Sequence, residues 1–351
     1  MPEAKTRKET PKETQKRVVI THFGGPEVLA LEDAPVPQPA AGEARLKVLA
    51  TTASFTDTMI RSGNYPAVRE KPPFSPGYDL VGKVDALGPG VTDLKIGQRV
   101  ADLTVFGANQ QVVCRPADGL VPVPDALGDA EAVSLILSYM TAYQMLKRVA
   151  KVKAGQRILV HAAGGAVGMA LCQLGQLMEL DVIGTASAAK RGFVESLGAA
   201  HIDYQSEDFV ARAAALGGAD AVFDAIGLTH FRRSFRTLRS GGKLVVYGFY
   251  RATSGADSSR LLGLAAEFLG FHALKLLWNV TTNKRADFYI ITDMRKQHPD
   301  WFKEDLSELF QLAATGKLKP VIWREMPLAE AAEAHRLIEA AQPQGKIVLL
   351  P

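Results

Sequence analysis

Apolar and polar residues alternate in two different ways along the chain. Between residue 17 and about residue 123, short alternating runs (VVITHF, ARLKVLATTA, LVGKVDALG, QRVADLTVF) are broken by Gly- and Pro-rich punctuation such as GGPE, APVPQPAAGE and GPGVTD. Such runs, bounded by turn formers, predict strands, and helical spacing is confined to a turn around 56–61. This half reads as a β-rich, partly closed domain. From Asp129 the texture changes, and AEAVSLILSYMTAYQMLKRVA repeats its apolar positions at helical spacing. Beyond it, predicted strands at 157–161, 181–185, 200–204, 220–224 and 243–247 alternate with predicted helices at 166–178, 188–197, 206–215 and 229–238. That alternation predicts right-handed βαβ units and a doubly wound parallel sheet, an α/β fold. The last fifty or so residues (WFKEDLSELFQLAATG, LAEAAEAHRLIEAA, KIVLLP) differ again, and could return to the first domain and make the sheet domain an insertion.

Length and composition narrow the class. A chain of 351 residues, 47% hydrophobic and 22% charged, has the makings of two domains with ample core. Of the net charge of +4, most sits at the start. Residues 1–17 hold six cations (Lys5, Arg7, Lys8, Lys12, Lys16, Arg17) and three acids (Glu3, Glu9, Glu13), and the remaining chain is near neutral. Nucleic acid is therefore not an expected partner. Residues 1–16 read as a disordered polar tail, without the apolar core of a secretory signal. The stretch 261–280 is interrupted by Glu267, His272 and Lys275, so no membrane span is expected. Two isolated cysteines, Cys114 and Cys172, exclude a disulfide framework and suit a reducing cytoplasm.

The stretch VHAAGGAVGMALCQLG (160–175) carries the chemistry. A strand runs into Ala162, Ala163, Gly164, Gly165, Ala166, Val167 and Gly168 and then into a helix. This approximates the dinucleotide fingerprint, with Ala163 in the first glycine's place. Gly165 would let backbone approach a pyrophosphate at the helix N-terminus, and Gly168 would let helix and strand pack closely. The same small residues could serve packing alone. At the end of the second strand an NAD enzyme places an acid; here Thr185, Ser187, Lys190 and Arg191 offer hydroxyls and cations, which suits the 2′-phosphate of NADPH. Zinc catalysis lacks its ligands, because neither cysteine stands at ligand spacing from a histidine. His161, at the strand end, reads as a hydrogen-bonding core residue.

These residues bring a family into view. The chain, from about Arg17 to Pro351, resembles the zinc-free medium-chain dehydrogenases/reductases of the quinone oxidoreductase (zeta-crystallin) branch, including the vesicle amine transport protein-like members. The motifs FGGPEVL, ASFTDTMIRSGNYP, PFSPGYDLVGKVDALGPGV, GQRVADL, LSYMTAYQML, HAAGGAVG, LGAAHIDY, DAIG, GGKLVVYG and GKIVLLP carry the resemblance. It implies a GroES-like catalytic domain (17–126 and 298–351) around an inserted Rossmann domain (127–297), and a homodimer joined through a strand near 287–294. Zinc-containing relatives have Gly-His-Glu where this chain has Gly77-Tyr78-Asp79. The resemblance places Thr141 near the nicotinamide carboxamide. It assigns Ser187, Arg191 and Tyr204 to the 2′-phosphate pocket, with Lys190 beside it, and Gly248 and Phe249 to a loop passing the nicotinamide. It also adds Lys346, in the final strand, to the cofactor residues. Tyr65, Ser54 and Asp57 match the substrate cleft, although quinone oxidoreductases usually have Asn where Ser54 stands. An apolar face of segment 250–286 (Leu261, Leu264, Phe268, Phe271, Leu274, Leu277, Trp278) would cover that cleft or simply pack as a helix pair.

The resemblance implies NADPH-dependent hydride transfer to a small, hydrophobic, electron-poor substrate, a quinone or α,β-unsaturated carbonyl. With no zinc expected, hydroxyls such as Tyr65 or Ser54 would stabilise the developing enolate and supply its proton. Two alternatives share the cofactor site: a biosynthetic enoyl or imine reductase, and a regulatory protein that binds NADPH with little turnover.

Overall fold

A computed structural model describes residues 13–250 and 260–351. Most of the expected tail, and the side chain of Leu261, lie outside the described residues. The first strand, β1 (Thr14–Ile20), begins two residues before the expected end of that tail. It pairs antiparallel with β2 (Leu29–Pro35). The main β-rich sheet has seven strands: β3 (Glu43–Ala53), β4 (Leu80–Leu87), β5 (Arg99–Asp102), β6 (Val112–Pro116), β7 (Val121–Pro122), β14 (Ile322–Pro327) and β15 (Lys346–Leu350). Their order is β14-β15-β3-β4-β5-β7, with β6 also on β3. β15 pairs antiparallel with β3, Ile347 opposite Ala53, so the chain's end completes the sheet its first third begins. One short helix, α1 (Phe55–Arg61), leaves the end of β3.

The parallel sheet is built from β8 (Arg157–Val160), β9 (Asp181–Ala186), β10 (Ala200–Asp203), β11 (Ala219–Asp224), β12 (Leu238–Val246) and β13 (Arg285–Phe288), in the order β10-β9-β8-β11-β12-β13. All five pairings are parallel. Sequence order reverses between β8 and β11, where the crevice of a doubly wound sheet opens beyond the strand ends. Alternate residues feed opposite cores, as a period of two requires. Ile158, Val160, Val182, Phe223 and Val245 join one core with α3 (Ala166–Leu177); Leu159, Ile183, Val222, Leu244 and Val246 join the other. α4 (Arg191–Ser196), α5 (Phe209–Ala215) and α6 (Leu228–Arg236) complete the crossovers. A helical run over 129–150, α2, is buried along most of its length at the junction of the domains, and includes five-residue-spaced turns at Leu135–Tyr139 and Met145–Ala150.

α7 (Arg260–Thr281) corrects one expectation. Its apolar face does not lie over the cleft: Leu264, Phe271 and Trp278 pack on the sheet's outer core, with Trp278 stacked on Phe235 at 4.1 Å between centroids. Leu277 stays 54% exposed. Burial of aromatic side chains this large, worth roughly 1.5–3 kcal/mol each, is the force that docks the helix there. α8 (Ile291–Gln297) and α9 (Pro299–Ala314) lead back to the β-rich domain, and α10 (Ala331–Glu339) packs on α1. No helix among the described residues is long and apolar enough to cross a membrane.

Candidate functional site

The glycine turn between β8 and α3 is shaped by close approach. Ala162 adopts the left-handed conformation (φ 53°) and its carbonyl accepts from the Gly165 amide at 2.9 Å. A Cβ on Gly168 would lie 2.2 Å from the Ala162 oxygen and 2.7 Å from the Ala163 Cα, so helix and strand meet only because position 168 lacks one. Ala163 is itself buried against Gly184 of β9. Gly165 caps α3 with no side-chain bond, and a Cβ on it would meet only the Ala162 oxygen, at 3.3 Å. The amides of Ala166, Val167 and Gly168 therefore open the helix without an intrahelical partner, at the positive end of its dipole. That cradle fits a pyrophosphate.

Beside it lie the cations. Lys190 lays its stem over Gly164, and its Nζ donates to the carbonyls of Gly164 (3.2 Å) and Pro343 (3.1 Å), tying the turn to the loop before β15. Burial lowers its pKa. Arg191 is exposed, 3.6 Å from Glu195, and Tyr204 is 56% exposed. Ser187 starts the short turn Ala188–Lys190 without capping it by its side chain. The nearby acid, Asp203, is engaged by the Ser206 hydroxyl at 2.7 Å and the Gln205 amide at 3.1 Å. Ser187, Lys190 and Arg191 follow β9, and the Tyr204 amide donates to the Ala186 carbonyl at 3.3 Å, which sets Tyr204 beside them.

Thr185 points elsewhere. Its hydroxyl is buried on the opposite face, 3.0 Å from His161 Nδ1, and His161 Nε2 lies 3.0 Å from Ser234 Oγ. Ser234 donates to Asp224 Oδ2 (2.6 Å), which also takes His230 Nδ1 (2.7 Å), while Asp224 Oδ1 accepts the Ile226 amide (2.8 Å). Burial pushes the His161 pKa down to about 3, so the ring is neutral. Because Ser234 donates its proton to Asp224, it accepts from His161 Nε2–H, and Nδ1 accepts from Thr185. Burial alone would raise Asp224, but His161, His230 and Ser234 outweigh it and hold the carboxyl below its usual range. His161, Asp224 and His230 stand at metal-ligating separation. Their facing lone pairs and protons are already matched to one another, and the network fastens the ends of β8, β9 and β11 under the crevice.

Across the crevice the β-rich domain presents hydroxyls. Tyr65 follows α1 and Tyr78 precedes β4; their oxygens are 2.6 Å apart and their rings meet edge to face at 5.8 Å. Burial raises the pKa of both, that of Tyr78 the further. Tyr289, just after β13, donates to Gln144 Oε1 at 2.8 Å, with the buried Thr141 beside it. This places Thr141 on the junction with the tyrosines. The Phe55 and Tyr250 rings, 5.1 Å apart, bridge α1 to the loop after β12. Gly248 opens that loop, and a Cβ there would press on Ala225 at 3.2 Å. Phe249 follows, its ring buried among Phe231, Phe268 and Phe288, so only its backbone can face a ligand.

Two further sequence-predicted residues, besides Thr185, have other partners here. Ser54 is the N-cap of α1: its hydroxyl donates to Asp57 Oδ2 (2.6 Å) and accepts the Asp57 amide (3.3 Å), which uses its proton. Burial pushes the Asp57 pKa up to about 7. Lys346 is fully buried on β15, its Nζ 3.1 Å from Thr52 Oγ1 and 3.4 Å from Ser138 Oγ, in the field of Asp79 and Asp57. It braces the β-rich sheet against α2 and does not face the glycine turn. Tyr78, Tyr289 and Gln144 were missed as site residues. Only Tyr78 had a signal, its place in the Gly-His-Glu slot; the others meet the site through tertiary packing.

Known proteins share this arrangement. Residues 40–125 match the alcohol dehydrogenase GroES-like domain and residues 197–349 match the zinc-binding dehydrogenase model. The chain is 33% identical to a 2-haloacrylate reductase of a Burkholderia species over 345 residues, 95% of this chain and 98% of that one. It is 31% identical to the human synaptic vesicle membrane protein VAT-1 homolog, covering 95% of this chain and 86% of that one. An Escherichia coli quinone oxidoreductase solved in complex with NADPH superposes with a TM-score of 0.82 at 28% identity, over 96% of this chain and all of that one. The glycine turn, the sheet order, the paired domains and these likenesses agree: the chain belongs to the medium-chain dehydrogenase/reductase family, in its quinone oxidoreductase branch.

Proposed function

We propose that the protein is an NADPH-dependent reductase of quinones or α,β-unsaturated carbonyls. The observation that carries the reading is the crevice itself. An uncapped helix N-terminus with flanking cations on the parallel-sheet domain is matched, on the β-rich domain, by a half-buried Tyr65 hydroxyl bonded to the buried Tyr78. The α3 amides and Gly165 would hold the pyrophosphate; Ser187, Lys190, Arg191 and Tyr204 would hold the 2′-phosphate; Thr141 and the backbone at 248–249 would flank the nicotinamide. NADPH, when bound, supplies the hydride. Tyr65 does the protein's part: its O–H points charge at the substrate oxygen as negative charge develops there, then gives up the proton. The family's zinc-ligand slot, Gly77-Tyr78-Asp79, holds no histidine, so protein hydroxyls supply this stabilisation. Two relatives, a 2-haloacrylate reductase and a Pseudomonas aeruginosa quinone oxidoreductase, carry names that share one substrate chemistry, a conjugated electron-poor π system.

The open edge of β13 is the surface on which a second copy would continue the parallel sheet, giving a homodimer. Two unpaired cysteines suit a cytosolic setting. The test is a fluorescence titration with NADPH and NADH, followed by a panel of quinones, enals and enones. NADPH binding with oxidation by one of these classes supports the reading. Binding without turnover of any of them transfers support to a regulatory protein, and absence of binding removes the cofactor site.

A further inference from the structure

The contact between Tyr65 and Tyr78 carries an inference that rests on the reductase reading and extends it. Tyr78 is fully buried, and among the described residues its hydroxyl has one hydrogen-bond partner, the Tyr65 oxygen at 2.6 Å. With no second acceptor at hand, Tyr78 donates, and Tyr65 accepts. The Tyr65 O–H is thereby left free to aim at a further acceptor. The backbone that carries Tyr78 is fixed. Gly77 sits at φ 105°, where a Cβ would lie 2.5 Å from Asn109 Oδ1, and the Gly77 amide donates to Asp57 Oδ1 at 3.3 Å. The two rings lock edge to face at 75°.

We propose that Tyr78 is a positioning residue for proton transfer: its hydroxyl donates to Tyr65, aims the Tyr65 O–H into the cleft, and stabilises the negative charge Tyr65 acquires. The step balances as follows for an enone. Hydride adds to the β carbon and the C=C electron pair shifts to make an enolate. The Tyr65 O–H bond breaks, its proton joins the enolate, and its electrons remain on the Tyr65 oxygen. Tyr78 keeps its proton and its hydrogen bond shortens onto the new phenolate. Tyr65 regains a proton from water once product leaves. Burial holds Tyr78 well above the usual phenol range, so it retains its proton, while its hydrogen bond draws Tyr65 back down against the rise that burial causes. A hydrogen bond to a charged group in a dry site is the strong kind. In this chain it stands in the slot that zinc-containing relatives give to a histidine.

The test is a double-mutant cycle read by single-turnover enone reduction, with NADPH affinity and thermal midpoint as controls. Tyr78→Phe should slow the step by about 10- to 50-fold, the loss of one hydrogen bond to a developing charge, with NADPH affinity unchanged. In a Tyr65→Phe background the same change should cost less than about 2-fold, because Tyr78 acts through the Tyr65 oxygen. A merely structural role would cost equally in both backgrounds and would overturn the proposal, as would a Tyr78→Phe enzyme of unaltered rate. Should Tyr78→Phe not fold, the unaltered protein still decides. The proposal predicts a bowed proton inventory in mixed light and heavy water, from one proton in transfer and a second in a tightening bond; a linear or flat inventory contradicts it. If no quinone or enone is reduced at all, the failure belongs to the reductase reading instead.

Discussion

The two walls of the crevice are made in different ways. The wall of the sheet domain is backbone and surface: a left-handed Ala162, a glycine whose missing Cβ lets α3 touch the turn, free amides, and cations within a few residues of one another. The wall of the β-rich domain is side chains brought together by tertiary packing: half-buried Tyr65, buried Tyr78, and the Asp57 carboxyl behind them, with Tyr289 and Gln144 closing the junction. In the proposed function the first holds charge that every dinucleotide carries, and local sequence is enough to build it. In the proposed function the second delivers a proton, and only tertiary packing can position hydroxyls that finely.

If this contrast holds, the backbone wall should be the more brittle. Gly168→Val has the largest expected effect. Its Cβ would meet the Ala162 oxygen at 2.2 Å, so the turn must open, and NADPH affinity should fall by more than about 100-fold in a fluorescence titration. Near-normal binding would show that the turn yields. Next comes Tyr65→Phe, expected to lower kcat for enones by about 100-fold with NADPH affinity intact, the size of a lost general acid. A fall in affinity with kcat preserved would move Tyr65 out of the chemistry.

Two smaller effects sharpen the comparison. Arg191→Glu should weaken NADPH by about 10-fold and NADH by less than about 2-fold, modest because the side chain is exposed and screened. Equal losses would remove the 2′-phosphate assignment. The smallest concerns Asp57, whose carboxyl is raised by burial from its ordinary 3.8 to about 7. A raised carboxyl favours the folded state when protonated, so its contribution is full below 3.8 and is lost as pH climbs to about 7. Asp57→Asn removes that dependence. The wild type's thermal advantage over the variant should narrow by roughly 2–4 °C across this window, and a gap that widens with pH would contradict the buried, protonated carboxyl.

The same contrast explains what could be seen in the sequence. The five strands and four helices predicted from 157 to 247 fall within a few residues of those observed, because a period of two beside a period near four is a local signal. The return of the last segment was visible in its change of texture, and β15 does pair with β3. Ser54 was misjudged because a capping Ser three residues before Asp57 and a catalytic Ser look alike until the hydroxyl's partner is known. Lys346 was misjudged because nothing beside it in sequence announces Thr52 and Ser138. The His161–Ser234–Asp224–His230 network joins residues whose only common feature is lying at the ends of neighbouring strands and on the helix above them.

The central claim is that this crevice carries hydride from NADPH to a conjugated, electron-poor acceptor while Tyr65 supplies the proton. The most direct measurement is NMR of the product formed from an enone and NADPH deuterated at the transferring position of the nicotinamide. The account predicts deuterium at the β carbon, a solvent hydrogen at the α carbon, and NADPH consumed in equal amount to product. NADPH oxidised without deuterium at the β carbon, or bound and never oxidised by enone or quinone, would contradict it.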